Sequence, residues 1–178
     1  MEIAKLVISA LTPIVVAILG WRISRTLKEI EQKQWASRKL VEKRIEIYDR
    51  ISPQINRLFC YYRWIGDWKK FSPHEIIDTK RNLDHLVYIY RYLLDDKFFE
   101  SYSSFMDALF LTYNGAGEDA RLRTHIRNEE GDRAKSTFYQ WAAAWEDCFD
   151  DSQVLPLNEI SRRYEAVMQA QKAGIFSQ

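Results

Sequence analysis

The sequence predicts an all-α protein: one apolar N-terminal helix of membrane-spanning type, a long helix continuing from it, and a helical bundle. Three observations predict this. Residues 3–21 are almost wholly apolar, with Lys5 the only charge. Beyond them, apolar residues recur at helical spacing, and no segment sustains the alternation of a strand. Glycine and proline are sparse, at six and four residues, so long helices meet few breaks.

A membrane-spanning helix needs about 20 mostly apolar residues. The uncharged run 6–21 is slightly short, and Lys5 extends it by reaching toward the headgroups. Trp21 suits an interface position. A cleaved signal peptide and an ordinary buried helix are the rival readings. Against cleavage stand Glu2 beside Lys5, the lack of a small-x-small site, and the basic cluster Arg22, Arg25 and Lys28. The same cluster places the amino terminus outside and the body in the cytoplasm by the positive-inside rule. Cys60 and Cys148, with no CxxC pair, fit that compartment.

Within the span, Ala10, Pro13, Ala17 and Gly20 repeat at three-to-four spacing. Ala10, Ala17 and Gly20 are the candidate packing residues, because small side chains let helices approach closely. Ser9, Thr12, Pro13 and Val16 are the candidate lining of a wet lumen. A kinked anchor, with Ser9 and Thr12 bonded to their own backbone, is the alternative.

The chain divides into a membrane helix at 1–21, a juxtamembrane helix at 22–52 and a cytoplasmic bundle at 53–178. In the juxtamembrane helix, Ile23, Leu27, Ile30, Gln34, Ser37, Val41, Ile45 and Tyr48 keep a near-heptad spacing, weak at Gln34 and Ser37. Its charges are mildly basic in sum, which suits anionic headgroups, and a solvated helix face explains most of them. Pro53 is expected to bend or break it. Ser72, Pro73 and Glu75 make a helix start: a cap, a proline in the first turn and an acid at the positive end. That helix runs through Ile76, Ile77, Leu83, Leu86, Val87, Ile89 and Tyr90 to Leu94. Asp95 and Asp96 open another, burying Phe98, Phe99, Tyr102, Phe105, Met106, Leu109 and Phe110. Residues 114–117 form a turn. Residues 133–149 and 156–173 read as two further helices.

Net charge is +1, so bulk electrostatics call for no nucleic acid, and no DNA partner is expected. The chain has no glycine-rich phosphate loop, no HExxH and no GxSxG, so neither a cofactor nor a metal is expected. His74, His85 and His125 are scattered. Two Arg/His pairs remain as catalytic candidates. Arg81 and His85 are four apart, as are Arg121 and His125. A surface pair without chemistry is the competing reading of each. Residues 112–125 hold the densest polar segment, in which Gly117, Glu118, Asp119, Arg121 and Arg123 form a candidate partner or ion-pair loop. A helix start with acids in its first turn explains the same residues.

The Arg/His pairs are similar to the motif of HEPN-class RNases, which are all-α. In those enzymes paired protomers use His to move protons and Arg to steady phosphorane charge. Both pairs here have three intervening residues, one short of that pattern. A short N-terminal span, a long basic helix, an all-α body and a degenerate R-x-x-x-H together resemble the small membrane accessory proteins of type VI-B CRISPR systems. The string TYNGAGEDARLRT is similar to one in bacterial membrane-anchored proteins. The CRISPR resemblance implies a HEPN-like cytoplasmic bundle in a homo-oligomer at the bacterial inner membrane. It implies that the N-terminal helices form a pore that depolarises this membrane in antiphage defence. Its partners would be further copies, the bilayer, and an RNA-guided RNase effector or its RNA product. A membrane-tethered RNase and a passive scaffold for a soluble partner are the alternatives.

Overall fold

The structure is a computed structural model. It describes residues 2–112, 115 and 117–176, with side chains described from Pro13 and as far as Ile175. Two compact units emerge, Met1–Glu42 and Lys43–Gln178. One helix, α1 (Glu2–Tyr62), contributes residues to both.

Three corrections concern this helix. Among the described residues, no helix is long and apolar enough to cross a membrane. Side chains are described from Pro13, and from there the apolar run to Trp21 reaches only about 14 Å at 1.5 Å per residue, against about 30 Å of hydrocarbon. The expected transmembrane helix, and with it the single-pass, N-outside placement in an inner membrane, is therefore overturned. Of the expected lumen and packing residues, Ser9, Ala10 and Thr12 have side chains outside the described residues. Pro13, Val16, Ala17 and Gly20 are exposed. Second, Pro53 does not end the helix. The ring removes one donor, while its neighbours bond back into the same turn. The Ser52 hydroxyl donates to the Tyr48 carbonyl at 2.6 Å, and the Gln54 amide to that of Arg50 at 3.0 Å. Third, Ile45 is 41% exposed. Arg44, one residue earlier, takes the heptad position instead. Its guanidinium donates to the carbonyls of Leu93 (2.9 Å) and Gly174 (3.2 Å).

In Lys43–Gln178, the C-terminal part of α1 buries Ile47, Tyr48, Ile51, Ile55, Leu58, Tyr61 and Tyr62. Around it lie α2 (Pro73–Ile89), α3 (Asp96–Leu109) and α5 (Leu157–Phe176), with a one-turn α4 (Arg133–Ser136). The Ser72 hydroxyl accepts from the Glu75 amide while the Glu75 carboxylate accepts from the Ser72 amide, a complete capping box for α2. Asp95 caps α3 through the Lys97 amide. Phe98, Tyr102, Phe105 and Leu109 of α3 and Ile160 and Val167 of α5 join the core. Burial contributes about 1.5–3 kcal/mol for each such large side chain.

The expectation of a purely α-helical bundle is also corrected. The unit is mostly helical, but two small antiparallel sheets are present. In the first, β1 (Phe110–Leu111) pairs with β2 (Arg121–Leu122), placing Phe110 opposite Leu122. In the second, β3 (Arg127–Asn128) pairs with β4 (Gly131–Asp132). Strands of two residues are too short to show alternation in a sequence. The helix expected at 133–149 is α4 alone, followed by extended chain and a 3-10 segment at Ala143–Cys148. Trp141, Trp145 and Phe149 are spaced four apart as in a helix. They instead gather by ring contacts: Trp141 meets Trp145 edge-on at 5.6 Å and Phe149 at 6.1 Å.

Candidate functional site

The largest departure from ordinary surface chemistry lies in Met1–Glu42. Ile14, Val15, Val16, Ile18, Leu19, Trp21, Ile23 and Leu27 are each more than half exposed, and Ile30 is 46% exposed. Single apolar side chains at a surface need no explanation, but a continuous run of this kind marks an interaction face. Its shape changes along the helix. Between Ile14 and Leu19 the apolar side chains point all round. From Ile23 onward they narrow to a stripe at Ile23, Leu27, Ile30 and Val41, interrupted by the polar Gln34 and Ser37 and flanked by intrahelical pairs such as Arg25–Glu29 (3.3 Å) and Lys39–Glu42 (2.6 Å). In sequence the same three-and-four spacing continues through Arg44, Tyr48, Ile51, Ile55, Leu58 and Tyr62. Except for the half-buried Arg44, these later positions are core residues of the second unit. The pattern that builds a core at one end of α1 is thus exposed at Ile23, Leu27 and Ile30.

The catalytic candidates lie elsewhere and are already engaged. Arg81 bonds Asp78 at 3.0 Å and also Asp119, and these two carboxylates hold its pKa above the ordinary value against the opposing effect of burial. His85 is exposed on the same helix. Arg121 lies in β2 and pairs with Glu118 at 3.5 Å. His125 lines a separate cleft of about 450 Å³ with Arg127 and Glu130, and Arg121 is not among its lining residues. Among the described residues, no three His, Cys, Asp or Glu side chains gather as a metal site.

The loop residues are fastened on three sides. Asp119 holds Arg81 of α2, Glu118 holds Arg121, and Arg123 donates to the Asp107 carbonyl at 2.8 Å. The Arg123 amide also donates to the Leu109 carbonyl at 2.8 Å, which ties β2 to the end of α3. Gly117 has a φ of +84°, so this turn favours glycine. Among the described residues of this segment no helix begins.

Sequence reasoning missed Arg133, the most buried charge among the described residues. Arg133 is fully buried, with its guanidinium 4.1 Å from the Tyr61 ring and 3.7 Å from that of Trp64. It donates to the carbonyls of Tyr61 (2.9 Å) and His125 (3.3 Å), and burial lowers its pKa. Trp64 adopts a φ of 58°, and its ring lies against Gly131, where an added Cβ would meet it at 3.6 Å. Trp64 and Trp68 at four-residue spacing, with a distant arginine, were the only signal available. This assembly staples the end of α1 to the 125–133 segment.

No family model, no curated protein and no solved structure matches this chain.

Proposed function

We propose that this chain is a self-assembling accessory protein. Copies associate through residues 13–41 of α1, and the Lys43–Gln178 unit is the body presented to a partner. The observation that carries the reading is the exposed apolar run from Ile14 to Ile30. Each side chain removed from water there contributes on the order of 1.5–3 kcal/mol if fully buried. The heptad spacing favours a helical neighbour, and a second copy brings the same stripe. One neighbour covers one face only. The all-round apolar stretch 14–19 therefore calls for more than two copies, with Ala17 and Gly20 allowing close approach. The partner implied by the sequence resemblance, an RNA-guided RNase of an antiviral system, is the first to test by co-purification.

An RNase reading draws no comparable support. Arg81 is committed to two carboxylates, and Arg121 and His125 do not share a cleft.

Light scattering on the full chain tests the proposal. The expected result is one defined species several times the 21.2 kDa chain mass. The double substitution Ile23→Glu with Leu27→Glu should reduce it to monomer with the circular dichroism of the body retained. A monomeric wild-type chain overturns the reading.

A further inference from the structure

A cleft of about 520 Å³ in the Lys43–Gln178 unit is lined by Thr124, Ile126, Arg127, Glu146, Phe149 and Asp151. It lies where the segment after β2 meets the segment after the 3-10 turn. Leu122 and Phe149 form a parallel bridge, and the Asp150 amide donates to the Leu122 carbonyl at 2.8 Å. Both walls are therefore fixed by backbone, and the cleft has the size of a small-molecule site.

Its charges do not cancel. Arg127 is matched, its Nε lying 2.9 Å from Asp132. The neighbouring Asp150 is also engaged, accepting from the Ser152 amide (3.0 Å) and hydroxyl (2.6 Å). Glu146 and Asp151 have no ion pair among the described residues. Beside them Thr124 is only 5% exposed, and its hydroxyl has no hydrogen-bond partner among the described residues. Thr124 lines the cleft, and its hydroxyl keeps contact with it, where a ligand can reach it. Phe149 and Ile126 supply the apolar surface.

We infer that this cleft binds a primary organic ammonium ion carried on an apolar stem. An ammonium group has three N–H donors. The carboxylates of Glu146 and Asp151 and the hydroxyl of Thr124 offer three acceptors. The negative face of the Phe149 ring adds attraction for a cation, and the stem lies against Ile126 and Phe149. A carboxylate or phosphate ligand would meet two unmatched negative charges.

Isothermal titration calorimetry of the full chain tests this with phenethylamine as probe. Phenethyl alcohol and 3-phenylpropionate serve as neutral and anionic controls. The expected result is saturable one-to-one binding of the amine alone. Glu146→Gln and Asp151→Asn should each weaken it by about tenfold, the scale of a charge-assisted bond. Thr124→Val should weaken it, and Thr124→Ser, which keeps the hydroxyl, should not. Thermal melts of each variant separate lost binding from lost folding. Absence of saturable binding overturns the inference. So does an unchanged affinity in the folded Glu146→Gln, Asp151→Asn pair, or equal binding of the neutral alcohol.

Discussion

At the scale of single residues, the molecule depends on side chains whose partners are far away in sequence. Gly174 on α5 is one. A Cβ built there would lie 2.6 Å from the Tyr48 hydroxyl and 3.5 Å from the Asp95 Cβ. Tyr48 has little room to yield, since it is 2% exposed and meets Phe98 edge-on at 5.2 Å. Gly174→Ala should therefore destabilise the body by about 1–3 kcal/mol, the usual cost of overpacking, as read by chemical denaturation. Tyr48→Phe removes the clashing oxygen, so the double variant should recover part of the loss. An additive result in that cycle would mean the contact is not the cause. Tyr48 stood on the near-heptad stripe legible in the sequence, but Gly174 lay just beyond the helix expected at 156–173, and nothing local pointed to their contact. Thr124 is similar: its burial comes from the meeting of two remote segments.

At the scale of elements, starts were legible and interruptions were not. Ser72, Pro73 and Glu75 gave the start of α2 because a capping box is local chemistry. Asp95 did the same for α3. Pro53 misled because the helix carries on past its missing donor with help from Ser52 and Gln54. The 133–149 segment misled because aromatic residues four apart mimic a helical stripe while their rings are held by one another. For α1, apolarity was legible, but what covers it is not written in one chain's residues. Gly20 gives a clean way to ask. A Cβ there meets nothing within 4 Å inside the chain, so a larger side chain has room in the isolated molecule. Gly20→Leu should leave the thermal melt of the body unchanged and disrupt the proposed oligomer, as read by light scattering. Intact oligomers in that variant would remove Gly20 from the packing face.

At the scale of the whole molecule, the body is built around neutral phenols. Burial pushes Tyr48 and Tyr61 up to about 12, and raises Tyr62 and Tyr102 as well. In each case the folded value lies above the unfolded one, near 10. Their contribution is therefore complete below about pH 10 and is lost as pH rises toward the folded values. By pH 12 the loss amounts to about 2 kcal/mol for each of Tyr48 and Tyr61. Denaturation midpoints should hold steady from neutral pH to about 10 and then fall steeply. A midpoint unchanged at pH 12 would show that these hydroxyls are solvated.

The unequal division of α1 also has a consequence in time. Synthesis runs from the amino terminus, so residues 14–30 are made before Ile51, Leu58, Phe105 and Val167 can meet. The nascent chain carries its unshielded apolar helix while its own core does not yet exist. If copies associate as proposed, the same segments on neighbouring ribosomes of one messenger RNA are acceptors for it. Assembly that begins there would shield the helix during the interval in which the rest of the chain is still unfolded.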